Sequence, residues 1–349
     1  MKKKKLLIVQ EYLMHYRVDL FNLIAQEYDL TVVSTDIESS INTEMFKFRF
    51  IKQKKKSFFK FIIFPKFENI IKQVGPDCII ATFDLRLISI ILFFIKNKKL
   101  SEKLIWWGLD KGASDIALKI KLWIANYVNC PIIFYSKYNQ DRFVKLGLSK
   151  DIARYATNTF PISNNRNTSK CEKKHILFVG SFDERKGIPI LIRAFKKLTM
   201  KMPDVSLVLV GDGDVYNEVK EEIHVLGLTE RVNMVGRIND PEELSRYYEE
   251  AFVSVSYSQA GLSVLQSLAF GVPFITHRDS ISGSEKYNII DGFNGYFVDN
   301  ENDLLARLTD IIGDLSNRVE ISDNAYRWFE ENCTIENMAR QITDVIDEA

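Results

Sequence analysis

Apolar residues in the first 136 positions come in two kinds of block. Short runs at 6–10, 30–34, 78–82, 104–108 and 132–136 are bounded by polar or turn-forming positions, whereas 18–26, 87–95 and 116–127 are longer and suit helices. Short continuous apolar runs read as strands buried on both faces, and their alternation with helical segments is the pattern of a parallel sheet flanked by helices. Residues 161–171, PISNNRNTSKC, are polar, Asn/Ser-rich and aperiodic, which reads as an exposed linker. The alternation then resumes, with strands at 175–179, 205–210, 232–235, 252–256 and 273–277. Helices are expected at 188–198 and 215–226, from Pro241 behind the N-cap Asp240, and from about Gly261. Beyond residue 304 the pattern is helical to the end, with Trp328, Phe329, Met338, Ile342 and Ile346 as packing residues. The chain therefore reads as α/β, with two Rossmann-like, doubly wound domains at 1–165 and 166–325 and helices at 326–349 crossing back over the first. Ligands of open α/β sheets sit beyond the carboxyl ends of the strands. Function is expected in the strand-to-helix loops, around a cleft between the two sheets with a hinge at 160–172.

The length of 349 residues suits two domains at roughly 150 residues each. With 46% hydrophobic and 27% charged residues, the chain is neither disordered nor collagenous. Net charge is only +1, yet residues 1–170 carry 29 Lys and Arg against 15 Asp and Glu, and the remainder 18 against 31. A basic first half beside an acidic second half points to an anionic partner on one side only. Residues 46–72 sharpen the point by interleaving eight Phe with nine Lys and Arg. Rings at headgroup depth, with about 1 kcal/mol of attraction per basic residue, suit an anionic membrane surface. The same stretch also reads as a basic loop followed by a helix whose Phe residues face the core. No zinc-knuckle or RRM-like signature accompanies the charge, so no nucleic acid partner is expected. The longest apolar stretch, 87–95, is about half of what a membrane-spanning helix needs. Cys78, Cys130, Cys171 and Cys333 lie far apart, with no C-x-x-C pair and no secretory signal before them. The expected location is cytoplasmic, peripheral on the inner face of the membrane.

Three loops carry candidate chemistry. After the strand at 175–179 come Gly180, Ser181, Phe182, Asp183, Glu184, Arg185, Lys186 and Gly187, two adjacent cations just before a helix N-terminus. Unpaired helix N–H groups and a lysine point charge make a phosphate site there, an exposed turn being the plainer reading. Gly211, Asp212, Gly213 and Asp214 form a D-x-D, which reads better as a Gly-assisted turn than as a metal site. His15, His175, His224 and His277 are scattered, so no zinc cluster is expected. In the third loop Gly261 lets a ligand approach a helix N-terminus, where the N–H groups of Leu262 and Ser263 can cradle a phosphate.

Taken together, Gly180 to Gly187, the Val210-Gly211-Asp212-Gly213 turn, Val235-Gly236, Gly261 to Pro273, and Glu285 with Asp291-Gly292 through Gly295 resemble glycosyltransferase family 4. A looser match precedes them at Tyr16-Arg17, Trp107-Gly108, Tyr135-Ser136 and Asn158. The resemblance implies the GT-B fold and transfer of a hexose-type sugar from a nucleotide-sugar, with retention, to a lipid-linked or growing glycan acceptor of cell-surface polysaccharide or O-antigen type. It places the donor on Gly180, Ser181, Arg185, Lys186, Gly211, Gly261, Leu262, Ser263 and Glu285, with the base near Gly236 and Arg237 and the ribose near Gln266. No metal and no other cofactor is implied, because helix ends and cations neutralise the leaving diphosphate. The chain departs from the family where a Glu, seven residues and another Glu usually stand. Those positions are Ser258 and Gln266, of which Gln266 still accepts a hydrogen bond without charge. The first loop has Ser181 where an Arg is common. For catalysis Asp110 is the first candidate to orient or deprotonate the acceptor hydroxyl, with Glu11 or His15 as second choice. Tyr16 and Arg17 are acceptor-side candidates, Arg17 for an acceptor phosphate. Because both family carboxylates are missing, a non-transferring nucleotide- or glycan-binding protein of the same fold is the alternative, with a nucleotide-sugar epimerase behind it.

Overall fold

The computed structural model describes residues 2–108, 115–162, 172–238 and 240–349. The chain divides into two compact units, Met1–Pro161 with Thr334–Ala349, and Ile162–Cys333.

In chain order the first unit comprises β1 (Lys5–Val9), β2 (Tyr12–Leu13), α1 (Val18–Glu27), β3 (Asp29–Ser34), β4 (Asp36–Ile37), β5 (Arg49–Lys52), β6 (Lys56–Phe58), β7 (Phe61–Ile63) and α2 (Phe67–Val74). It continues with β8 (Cys78–Phe83), α3 (Ile88–Lys96), α4 (Lys98–Ser101), β9 (Leu104–Gly108), α5 (Asp115–Val128), β10 (Ile132–Phe134), α6 (Lys137–Lys145) and β11 (Ala153–Tyr155). Seven strands form a parallel sheet in the order β11-β10-β9-β8-β1-β3-β5. Side chains alternate across it, as strand geometry requires. Leu7, Val9, Ile79 and Trp106 pack under α2, α3 and α5, while Leu6, Ile8, Ile80 and Ile105 pack under α1. The chain moves from β1 outward to β5 and returns at β8, so the strand order reverses between β1 and β8.

Residues 46–72 are more structured than the basic-loop reading allows. Phe50 lies in the edge strand β5, and Phe48, Phe64 and Phe67 are buried in the core. Only the β6–β7 hairpin turns its rings outward, with Phe58, Phe59 and Phe61 exposed.

The second unit has a six-stranded parallel sheet in the order β14-β13-β12-β15-β16-β17. Its strands are β12 (His175–Val179), β13 (Ser206–Val210), β14 (Val232–Gly236), β15 (Ala251–Val255), β16 (Phe274–His277) and β17 (Gly295–Val298). Its helices are α7 (Ile188–Thr199), α8 (Tyr216–Val225), α9 (Pro241–Glu249), α10 (Ser263–Ala269), α11 (Glu301–Gly313) and α12 (Leu315–Asn332). Asp240 caps α9 by accepting from the Glu242 N–H, at the position its type favours. Here the order reverses between β12 and β15.

The chain returns to the first unit at Thr334, eight residues later than the expected 326. Ile321, Ala325 and Phe329 of α12 are buried within the second unit, which keeps that helix there. Thr334 caps α13 (Ile335–Glu348), whose Met338, Ile342, Val345 and Ile346 join the core formed with α1. The Tyr28 hydroxyl donates to Asp347 at 2.9 Å and the Thr157 N–H to the Gln341 side chain at 2.9 Å, fixing the helix at two points. Burial, reinforced by Asp347, pushes the Tyr28 hydroxyl well above its ordinary range.

Candidate functional site

At the β12–β15 reversal three loops pack backbone against backbone. Gly211 stands at φ +143°, and a Cβ there would strike the Gly180 carbonyl; a Cβ on Gly213, at φ +157°, would strike that of Phe182. Only glycine fits both the dihedrals and the space. The Gly180 N–H donates to the Val210 carbonyl, the Phe182 N–H to that of Asp212, and the Gly211 N–H to that of Gly236. Phe182 is fully buried beneath them. Gly236 itself has φ +82°, and Arg237 beside it is exposed.

Lys186 lies across Gly180, with Cε 3.4 Å and Nζ 3.6 Å from where a Cβ would stand, so the ammonium hangs over the carboxyl end of β12. Arg185 goes elsewhere. Asp183 caps the turn Glu184–Lys186, accepting from the Arg185 N–H at 3.0 Å, its guanidinium at 3.1 and 3.0 Å, and the Ser181 hydroxyl at 2.7 Å. Partial burial raises the Asp183 pKa, but the Arg185 and Ser181 hydrogen bonds outweigh it and hold the carboxyl below its usual range. Arg185 and Ser181, expected on the donor, are thus engaged by Asp183 within their own loop, because an acidic N-cap two residues before an Arg captures it.

Ser258 packs on Gly187, where a Cβ would meet its hydroxyl, and its N–H donates to the Lys186 carbonyl at 3.2 Å. The first and third loops therefore interlock. Gly261 has open space around its Cβ position, and Leu262 already has helical dihedrals before α10 begins at Ser263. Gln266, half-buried on α10, accepts from the Tyr248 hydroxyl at 3.2 Å. Tyr248 is fully buried and stacked on Phe270 at 5.2 Å, and burial pushes its hydroxyl far above the ordinary range. Glu285 is buried at the head of the turn Glu285–Asn288 and accepts from the Ser282 hydroxyl at 3.2 Å.

In the first unit a cavity of about 660 Å³ opens at the β1–β8 reversal. Glu11 lines it with both carboxylate oxygens occupied, Lys55 at 3.2 Å and Arg86 at 3.3 Å. Arg86 also clasps Asp84 at 2.6 and 2.9 Å. Partial burial raises the Asp84 pKa, and the Arg86 hydrogen bonds more than reverse it, leaving the carboxyl below its usual range. Lys121 reaches the cavity from α5, buried beside the Phe83 ring. Asp84, Arg86 and Lys121 escaped the sequence reading, although Asp84-x-Arg86 directly follows a strand and Lys121 interrupts the apolar face of its helix.

His15 is not in the cavity wall. Its Nδ1 lies 2.7 Å from Glu38, and its N–H donates to the same oxygen at 2.9 Å. Arg17 does line the cavity, but its guanidinium is buried and spent internally. It donates to Asn158 at 2.6 Å and meets the Met338 sulfur at 3.3 Å, with the rings of Trp107, Tyr16 and Tyr135 4.9 to 5.4 Å away. That cage, rather than an acceptor phosphate, holds Arg17, and the scattered amino-terminal motif residues are its walls. Asp110 lies outside the described residues.

Residues 160–328 match the family model for glycosyl transferases group 1. An uncharacterized glycosyltransferase of Haemophilus influenzae is 28% identical over 178 residues, 50% of this chain and 49% of that protein. The alpha-monoglucosyldiacylglycerol synthase of Streptococcus pneumoniae is 35% identical over 108 residues, 30% and 24% of the two chains. The chain spans about half the length of the curated relatives it matches first. Among solved structures, Anabaena HepE in complex with UDP shares 17% identity over 99% of this chain and 100% of its own, with a TM-score of 0.76. The fold is GT-B: two Rossmann-like units, each a parallel sheet between helices.

Proposed function

We propose that the protein is a nucleotide-sugar-dependent glycosyltransferase that moves a hexose-type sugar, with retention, onto a lipid-linked or growing glycan acceptor of the cell-surface polysaccharide type. The observation that carries this reading is the Lys186 ammonium over Gly180, at the reversal point of a sheet whose neighbouring loops are packed backbone to backbone at Gly180 and Gly211. The donor diphosphate lies against Lys186 and the Gly261 to Ser263 amides, which stabilise charge on the leaving group as the anomeric bond breaks. No metal is needed in this scheme. Gly236 and Arg237 flank the base and Gln266 the ribose, with its carbonyl oriented by Tyr248. Glu285 sits beside α10, at the sugar end.

The first-unit cavity takes the acceptor. Arg86, Lys121 and Tyr16 face it, and Asp110 is the group we assign to the acceptor hydroxyl, Glu11 being the second choice. HepE is described in complex with UDP, and the pneumococcal relative is named for a glycolipid product, which supports a uridine nucleotide donor and an acceptor in the membrane. The location that follows is the cytoplasmic face of the membrane.

Calorimetric titration with UDP, GDP and ADP in the presence of EDTA tests the donor side. Binding of one base family without metal is the expected result, and binding of none overturns the reading. Ser258 and Gln266, both committed to contacts within the protein, favour the alternative of nucleotide binding without transfer. Release of free nucleotide from donor plus glycolipid acceptor decides against it.

A further inference from the structure

Helix α5 carries Ile116, Ile120, Trp123 and Tyr127 at helical spacing, and all four face solvent, Ile116 at 72% and Trp123 at 61% exposure. Single exposed apolar residues are ordinary, but four along one stripe with Trp123 stacked on Tyr127 at 5.5 Å mark a surface that is covered in use. The stripe continues across neighbours. Leu92 is exposed on α3, which packs against both α5 and β7, and the β6–β7 hairpin is tied to the start of α3 by the Ile62 and Phe64 N–H groups. At the hairpin tip Phe59 is 89% exposed at φ +52°, the first central position of a two-residue turn that normally takes glycine. A phenylalanine in the left-handed region costs local stability, and here it holds a ring out into solvent.

Residues 54–63, 88–101 and 116–128 contain nine lysines and no carboxylate, and apart from Lys55, paired with Glu11, and Lys121, buried in the cavity, these are available to this surface. A second copy of the chain docking through the same patch would set lysines against lysines, which a two-fold interface cannot avoid. Protruding aromatics among lysines instead fit the headgroup region of a bilayer.

We propose that the face formed by the α5 stripe, Leu92 and the Phe58–Phe61 hairpin seats this protein on an anionic lipid bilayer. This rests on the reading of a membrane-borne acceptor and deepens it by naming the surface. Trp123, Tyr127 and Phe59 enter the headgroup layer, and Lys56, Lys60, Lys98 and Lys119 meet its negative charge.

The test is flotation of the full chain with phosphatidylcholine vesicles, with and without phosphatidylglycerol. Expected is binding only to the anionic vesicles, with a blue shift of tryptophan emission that is lost in Trp123→Ser, since Trp106 and Trp107 are buried and Trp328, half-buried, belongs to the second unit. Phe59→Ser with Trp123→Ser should lower partitioning roughly tenfold. Lys56→Gln and Lys60→Gln should each lower it roughly fivefold, about 1 kcal/mol. All variants should keep the wild-type melting temperature. The proposal is overturned if the wild type stays in solution, if the aromatic variant floats like wild type, or if that variant instead turns a dimer into a monomer. Nucleotide titration of the same samples separates the two readings: binding lost with flotation kept removes the transferase reading alone, and the reverse removes the membrane face alone.

Discussion

Lys186 and Arg185 are adjacent cations, and the fold gives them different work. Asp183 takes both ends of the Arg185 fork, an exposed pair that solvent screens. Lys186 reaches back over Gly180. Lys186→Ala should weaken binding of a nucleoside diphosphate by more than about 1.5 kcal/mol, the scale of a charged hydrogen bond, whereas Arg185→Ala should leave it within about 0.5 kcal/mol. Equal losses in a titration of both variants would mean that Arg185 leaves Asp183 for the ligand. Gly211 permits a sharper test. Gly211→Ala places a methyl on the Gly180 carbonyl at a dihedral alanine avoids, so chemical denaturation should show a loss above about 3 kcal/mol. A loss under about 1 kcal/mol would mean that the two loops separate without cost.

Elements depend on partners the local pattern does not name. The central strands were legible because runs such as 104–108 and 175–179 are apolar but for one end residue, and in the structure they are β9 and β12 without change of ends. The short strands β11 and β17 and the polar helix α6 were not, since three or four residues carry too little periodicity and α6 buries only Asn139 and Phe143. The exposed stripe on α5 hid for the opposite reason, because a two-faced apolar helix reads as core. At the site, the glycines and Lys186 could be read from sequence, but the capture of Arg185 by Asp183 and the cage around Arg17 exist only through three-dimensional proximity. Ile342→Ala on α13 leaves a cavity against α1 and should cost about 2 to 5 kcal/mol, read from the unfolding of the first unit. His175 opens β12, where its Nε2–H donates to the Tyr247 carbonyl at 2.8 Å, and burial holds its pKa below the usual 6.5 despite that bond. The unfolded chain therefore binds the proton first, so stability should fall as pH drops below about 6.5. In His175→Gln, thermal melts should lose part of that slope; an unchanged slope would assign it to other groups.

Over the whole molecule the charge asymmetry is partly corrected by topology. The basic first half receives α13, which brings four carboxylates and one arginine and pairs Asp347 with Lys4 and Glu348 with Arg154. The helical layer of α3, α4 and the described α5 side chains contains no carboxylate, so the lysines beside the apolar stripe have none within that layer to offset them. Under the proposed function the acidic second unit binds an anionic nucleotide against its own net charge, a task for local groups such as Lys186 and backbone N–H dipoles. Each unit has its own sheet and its own cores, so a ligand held by one need not stabilise the other. A nucleotide at 100 times its dissociation constant adds about 2.7 kcal/mol to whatever unfolds with its site. Amide exchange in β12, β13 and β15 should accordingly slow by up to roughly a hundredfold on adding UDP, with β1, β8 and β9 unchanged. Equal slowing in both sheets would mean that the units open as one block, and slowing confined to the first would move the nucleotide out of the loops around Lys186.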